Sequence, residues 1–469
     1  MTRDPDDGAR APGPSAAAEA PVPSTPGPEA AAPPAPVPTA PGARVPRVRP
    51  GTVGVALAVL GVLFVAGNLR PGATSLGPVL AEVSAALGIG GGTAGVLTAL
   101  PGLLFGVVGL VAVRVGRFAG LSLSIALGLA LVVAGLLLRP VSGSVWVFVP
   151  LTAVALAGMA VGNVLVPAWV KRHGGRHTVA LMTLYGMFLT VGGSAGAGLA
   201  APLAGAAHVL GLPGEGWRHS LGAWGVLAVV PLVLWLVIAA RTGHDFPAAP
   251  AREHPDRSLV SSPSAVALMV LFGVQAMNAY VQFGWMPQVY RDAGLDAALA
   301  GTLTAVIAAM GVLGGLVMPT VIDRSRTLAP WMVAFGVLTA AGYTGLLLAP
   351  VGGAWLWSVL LGVGGFAFPT AISLIPARSR DPHVTARLSG FVQPFGYVLA
   401  ALGPLAVGLL YAALDDWTPV LVLLACSAVV MTAAGLRVSG RVVVDDELSA
   451  GGPGRAAPTA PAPGDHGPR

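Results

Sequence analysis

The sequence predicts an all-α membrane protein, with twelve transmembrane helices arranged as two pseudo-symmetric halves of six. Three observations predict it. Mean hydropathy is +0.78 and only 10% of the residues are charged, whereas soluble domains carry about 25%. Twelve apolar stretches each reach the length of about 20 residues that a bilayer core requires. The longest polar connection among them, Arg241 to Pro263, leaves six stretches on either side.

Taken in order, Met1 to Pro50 is Pro- and Ala-rich without hydrophobic periodicity, and residues 1–50 are expected to be a disordered tail. The N-terminal half, 51–240, holds apolar cores at Thr52–Pro78, Thr93–Val113, Leu121–Leu138, Val145–Val170, Val179–Ala207 and Ser220–Ala240. The central loop, 241–262, carries Arg252, Glu253, Asp256 and Arg257. The C-terminal half, 263–437, holds cores at Ser264–Val289, Ala297–Ile322, Leu328–Leu348, Ala354–Ile375, Leu388–Ala412 and Thr418–Leu436. Residues 438–469 are expected to be a second disordered tail.

The halves repeat. Ala94-Gly-Val-Leu-Thr-Ala-Leu100 recurs as Ala300-Gly-Thr-Leu-Thr-Ala-Val306, each opening the second helix of its half. Pro78 and Pro287 are expected to end the first helices, and Pro167 and Pro376 the fourth.

Charge sets the orientation. From Arg44 to Arg441, leaving out Arg70, one set of connections and tail ends holds 18 Lys and Arg, among them Lys171, Arg172, Arg378 and Arg380. The other set holds 3, Arg139, Arg218 and Arg291. Cytoplasmic loops carry the excess of Lys and Arg. Both termini and the central loop are therefore expected in the cytoplasm, with the chain in the plasma membrane of a bacterium. The net charge of +6 is spread over these short clusters, which argues against a nucleic-acid partner and for the lipid bilayer.

Other chemistry is excluded or displaced. Cys426 is the sole cysteine, so no intrachain disulfide forms. The run Gly90-Gly-Gly92-Thr-Ala-Gly95 fits GxGxxG, but no strand precedes it. His173 and His177 sit in a basic, Gly-containing loop with no neighbouring carboxylate in sequence, so no metal site is expected there. There is no ATP-binding motif, no cofactor site is expected, and no catalytic groups converge, so the chain does not read as an enzyme. A membrane sensor would need a sizeable output domain, which neither tail provides.

The first stretch is the most informative. Arg70 is the only charge between Gly51 and Ala81, and Pro71 follows it. A charge inside a bilayer faces protein, water or headgroups, and a broken membrane helix survives only where neighbours or water satisfy the freed backbone. A helix starting at Thr52 carries Arg70 about 27 Å, close to the far edge of the core, so a headgroup anchor competes with a cavity. Asn68 beside it adds a second donor. In the seventh helix Gln275, Asn278, Gln282 and Trp285 are spaced three, four and three apart and share one face. Such a stripe reads as a cavity wall or as interhelical hydrogen bonding. Gln393 and Tyr397 are four apart in the eleventh helix, and Tyr185, Asn163 and Ser373 are weaker candidates. No Asp or Glu falls in the core of any stretch. Proton coupling would have to run through a boundary group such as Glu82, or through a solute's own proton.

Two motifs carry a resemblance. Gly109-Leu-Val-Ala-Val-Arg114-Val-Gly116-Arg117 resembles the cytoplasmic gating loop of the major facilitators, with Val113 where that motif has Asp and Phe118 where it ends on a basic residue. The second half has Asp323-Arg324 at the equivalent loop. Asn68-Leu-Arg70-Pro71, together with Gln393-Pro-Phe-Gly396-Tyr397 and Gly403-Pro404, is similar to the cyanate/2-nitroimidazole transporter family within them. The likeness runs from about Gly51 to Gly440.

The resemblance implies the major facilitator fold and secondary transport of a small polar or anionic solute by alternating access, by a protein that functions as a monomer. Export of drug-like compounds by the same fold is the alternative. It also implies a cavity lined by the first, fourth, seventh and tenth helices with help from the fifth and eleventh. Arg114, Arg117, Asp323 and Arg324 would clamp the cytoplasmic gate.

Overall fold

A computed structural model describes residues 53–246 and 258–450. The expected N-terminal tail, the charged middle of the central loop and residues 451–469 lie outside the described residues. All regular structure among the described residues is helical. Twelve helical spans are long and apolar enough to cross a bilayer. They are α1 (Val55–Leu87), α2 (Gly91–Ala119), α3 (Leu121–Val141), α4 (Val145–His173), α5 (Gly175–Val209) and α6 (Gly216–Thr242) in the first half. The second half has α7 (Pro263–Asp292), α8 (Ala297–Arg324), α9 (Ala329–Leu348), α10 (Ala354–Ala377), α11 (Arg387–Leu414) and α12 (Thr418–Arg437).

Two of the prolines do not end helices as expected: Pro167 and Pro287 lie well inside helices that run on to His173 and Asp292, whereas the helix holding Pro376 stops one residue later at Ala377. In a packed bundle, neighbouring helices and local adjustments satisfy the carbonyl that a proline leaves without its donor. Pro71 does break α1. The first helix stops at Asn68, a short turn runs Pro71–Thr74, a 3-10 turn follows at Gly77–Val79, and a last helix covers Leu80–Leu87. Arg70, before the proline, leaves the helical region in φ only, at φ −123° and ψ −37°. The span therefore continues past Pro78, its expected end.

The halves meet mainly along α2 against α11 and α5 against α8. The α2–α11 contact is a seam of small residues: a Cβ added at Gly408 would lie 2.5 Å from the Gly95 Cα, and one at Gly102 would lie 3.0 Å from the Ala401 backbone nitrogen. Close backbone approach of this kind replaces the missing hydrophobic drive between helices in lipid.

One end of the bundle carries the basic connections and the other is sparse in charge. At the sparse end the halves are tied together by Arg291 of α7. Its Nη1 donates to Glu82 of α1 at 2.9 and 3.0 Å and to the Pro78 carbonyl at 3.3 Å. Gly77 packs so tightly on the Phe283 carbonyl that a Cβ there would sit at 2.1 Å.

Part of the expected C-terminal tail is ordered against the basic end. Helix α13 (Val444–Ala450) docks through its acidic first turn. Glu447 accepts hydrogen bonds from Ser262 Oγ (2.5 Å), Ser264 N (3.0 Å) and Ser264 Oγ (2.7 Å), and pairs with Arg437 at 2.9 Å. Composition alone could not show that these acids face the start of α7. Burial pushes the Glu447 carboxyl up, but the hydrogen bonds from Ser262 and Ser264 and the Arg437 charge outweigh it and hold the carboxyl below its ordinary value. A depressed carboxyl contributes stability above its unfolded pKa, and that contribution is lost as pH falls through the folded value. Amide protection of Val444–Ala450, corrected for intrinsic exchange, should therefore persist at pH 7 and fall below the ordinary Glu range. Glu447→Gln should show the low protection at both pH values.

Candidate functional site

A cavity of about 530 Å³ lies between the halves. It is lined from α1, α5, α7, α8, α10 and α11, and runs from Arg70 toward Pro319 and Ser373 near the basic end. The walls are mostly aliphatic, aromatic, Met and Pro side chains, and among the described residues Arg70 is the one charged residue lining them. At the sparse end the Arg291–Glu82 pair ties α7 to α1.

The α1 break sets where Arg70 goes. Thr74 Oγ1 donates to the Gly193 carbonyl at 2.9 Å, and the Arg70 stem packs over Gly193, where an added Cβ would lie 3.5 Å from the Arg70 Cβ. The guanidinium carbon lies 5.9 Å from the Phe105 ring centroid. The guanidinium has neither a hydrogen-bond acceptor nor an ion-pair partner among the described residues. Around it stand three phenols. Tyr397 lines the cavity and packs edge-on to Phe105 at 5.8 Å. Tyr280 lines it too, with its hydroxyl buried and unpartnered among the described residues. Tyr185 donates to Asn163 Oδ1 at 3.0 Å.

The polar stripe of α7 divides. Gln275 and Gln282 line the cavity, while Asn278 and Trp285 do not. At 100° per residue the cavity side of α7 is the arc through 275, 276, 279, 280 and 283, so the stripe only overlaps its edge. Asn278 turns to its neighbours. Its Nδ2 donates to Ser427 Oγ of α12 at 3.1 Å, and its Oδ1 accepts from Tyr343 of α9 at 2.8 Å. Gln282 also donates to the Tyr343 hydroxyl, at 3.0 Å. Trp285 Nε1 donates to the Pro404 carbonyl at 3.1 Å. Gln275 lines the cavity with Oε1 buried and unpartnered among the described residues.

Other candidates are not brought to the cavity. Asn68 bonds back to the Phe64 carbonyl at 2.9 Å, and Gln393 donates to Ser389 Oγ one turn away at 2.8 Å. Asn163 reaches the site through the phenols of Tyr185 and Tyr397, and α8 lines the cavity where α4 was expected. Ser373 lines it near the basic end. Arg114, Arg117, Asp323 and Arg324 are exposed at that end, and none is in an ion pair among the described residues.

Sequence reading missed three features. Tyr280 and Phe105 are single aromatics in apolar runs and carry no pattern that separates them from packing residues. Asp245, just past α6, is fully buried and caps α3, accepting from Ser122 N at 3.0 Å and Ser122 Oγ at 2.6 Å. It also lies 3.6 Å from His173 Nε2, so His173 has a carboxylate neighbour in space that the sequence did not place. No cluster of three or more metal-ligating side chains occurs among the described residues.

The two α7 amides lead to opposite expectations. Asn278→Ala should cost about 0.6–2 kcal/mol, read as a lower melting temperature, with activity per folded molecule unchanged. Gln275→Ala should leave melting nearly unchanged and weaken solute affinity. Paired melting and binding curves check both.

Twelve spans in two halves around a central cavity define a membrane transporter fold, and the chain belongs to the Major Facilitator Superfamily, whose profile matches residues 59–404. Its relatives are transporters rather than enzymes. It is 31% identical to the uncharacterized transporter YycB of Bacillus subtilis, over 80% of this chain and 92% of that protein. It is 29% identical to the 2-nitroimidazole transporter of Escherichia coli, over 81% and 94% of the two chains. It is also 29% identical to the cyanate transport protein CynX of Escherichia coli, over 76% and 92%.

Proposed function

We propose that the chain is a secondary transporter of a small monoanion or strongly polar solute, bound at Arg70 and carried by alternating exposure of the cavity to the two sides. The observation that carries this reading is the lone, unpartnered Arg70 guanidinium in a cavity wall without any carboxylate among the described residues. An unpaired guanidinium in a low-dielectric cavity attracts an anion, and its planar fork suits carboxylate-like groups. The relatives named for cyanate and 2-nitroimidazole, one an anion and the other a small polar ring, support the same class. The mostly apolar wall suits a solute with a flat or apolar body. It also favours the second reading, an exporter of drug-like compounds, which does not need Arg70.

The tied sparse end and the cavity reaching the basic end fit a state open to the cytoplasm, if the positive-inside orientation holds. Rocking about the α2–α11 and α5–α8 seams would open the other side. With Cys426→Ser as background, Ala249→Cys in the central loop should be labelled by an impermeant maleimide only from the cytoplasmic side. Labelling from outside intact cells reverses the orientation.

The test of function is counterflow in vesicles holding the purified full-length chain without ATP. Vesicles preloaded with benzoate or cyanate should draw in the labelled anion transiently, and Arg70→Gln should not. Equal counterflow by the variant removes the anion site, and absent counterflow with every monoanion tried removes the transport reading for this class.

A further inference from the structure

Arg139 is a fully buried cation with no carboxylate beside it among the described residues. It was counted among the outer-loop arginines, yet its side chain is 0% exposed at the end of α3. Its Nη2 donates to one acceptor, the Gly72 carbonyl, at 3.0 Å. Nε and Nη1 have no acceptor among the described residues, and the guanidinium carbon lies 6.0 Å from the Phe148 ring centroid. A headgroup anchor would reach the surface, and a structural ion pair would have an acid. Neither description fits.

The acceptor explains the residue. Gly72 is two residues past Arg70, inside the break of α1. The turn there closes with Ser75 N donating to the Pro71 carbonyl at 2.9 Å, but Leu76 N does not go on to the Gly72 carbonyl. A continuous helix would make that bond. The carbonyl it leaves open is buried, and a buried carbonyl needs a donor. Arg139 supplies one from α3, where an Ala-for-Gly change at 72 would drive a methyl to 2.3 Å from Met159 Cε.

We infer that Arg139 is a positioning residue: by capping the Gly72 carbonyl it fixes the turn that follows the break at Pro71, and so keeps Arg70 projecting into the cavity. The inference rests on the proposed reading of Arg70 as the anion-binding group. It separates two roles that a buried arginine can have. A buried charge without a partner carries a desolvation cost that an apolar side chain of similar volume does not. Arg139→Met should therefore remain folded, while the turn after Pro71 is free to let Leu76 N reach the Gly72 carbonyl and to move Arg70.

The test uses the full-length chain in lipid nanodiscs, with three readings on the parent, Arg139→Met and Arg139→Lys. These are melting temperature, modification of Arg70 by phenylglyoxal followed by mass spectrometry, and benzoate affinity. Arg139→Met should melt close to the parent, react more slowly at Arg70 and bind benzoate more weakly, by up to about a hundredfold, the scale of loss that a misplacement of about an ångström can cause. Arg139→Lys, which keeps a donor on a long stem, should recover most of both readings. Unchanged Arg70 reactivity in a folded Arg139→Met protein overturns the inference. If Arg139→Met does not fold, Arg139→Gln, too short to reach the carbonyl, is read in the same way. Failure of both to fold makes Arg139 a fold element and equally overturns it. The outcome is distinct from failure of the anion reading, which would show in the parent as Arg70 reactivity insensitive to benzoate.

Discussion

Arg70→Gln is expected to abolish anion uptake by the folded chain, with a loss of affinity of at least about a hundredfold. The guanidinium is the one charge lining the cavity and has no acceptor among the described residues. A bound anion would supply both of its hydrogen bonds, and each charge-assisted bond contributes about 1.5–3 kcal/mol. At about 1.4 kcal/mol per factor of ten, losing the pair is worth two powers of ten or more. Arg70→Lys should lose about tenfold, because an ammonium keeps the charge but not the planar fork. Folded yield should change little, since Arg70 neutralises no carboxylate. Uptake into vesicles, normalised to folded protein, is the check.

Gly408→Leu should give the second large effect. Its Cβ would sit 2.5 Å from the Gly95 Cα and 2.7 Å from the Gly91 carbonyl, both backbone atoms of the opposite half. A flexible side chain could move aside, but two packed helices cannot without parting the seam. Overpacking of this kind costs about 1–3 kcal/mol or more. Melting temperature should fall and uptake should drop by more than about tenfold. Gly408→Ala should fall between. Gly205→Ala, with nothing within 4 Å of its added Cβ, should match the parent in both readings.

Much of this molecule was legible in its sequence, because lipid restricts the menu. Spanning backbone must be helical, so length and hydropathy alone set twelve spans. The same restriction hides what occurs inside them. Pro71 breaks α1 whereas Pro287 leaves α7 helical, a difference decided by neighbours and not by the residue. Periodicity placed Gln275, Asn278 and Gln282 on one face, but it does not tell which neighbour that face meets. Asn278 went to α9 and α12, and Gln275 to the cavity. Tyr280 and Phe105 were silent because an aromatic in an apolar run has the same pattern whether it packs or lines a site. Arg139 was read as a loop charge and Asp245 was not singled out at all, since burial of a charge at a helix end depends on what folds over it.

The central claim is that Arg70 binds a monoanion, and side-by-side melting of the parent and Arg70→Gln tests it most directly. The panel is cyanate, nitrate, benzoate and neutral 2-nitroimidazole, each added to the purified full-length chain. A ligand at 100 times its Kd stabilises the state it binds by about 2.7 kcal/mol, well within reach of a melting curve. The account predicts that at least one of the monoanions raises the melting temperature of the parent and leaves Arg70→Gln unmoved. Equal shifts in the two proteins, or a response to 2-nitroimidazole alone that survives the substitution, would contradict it.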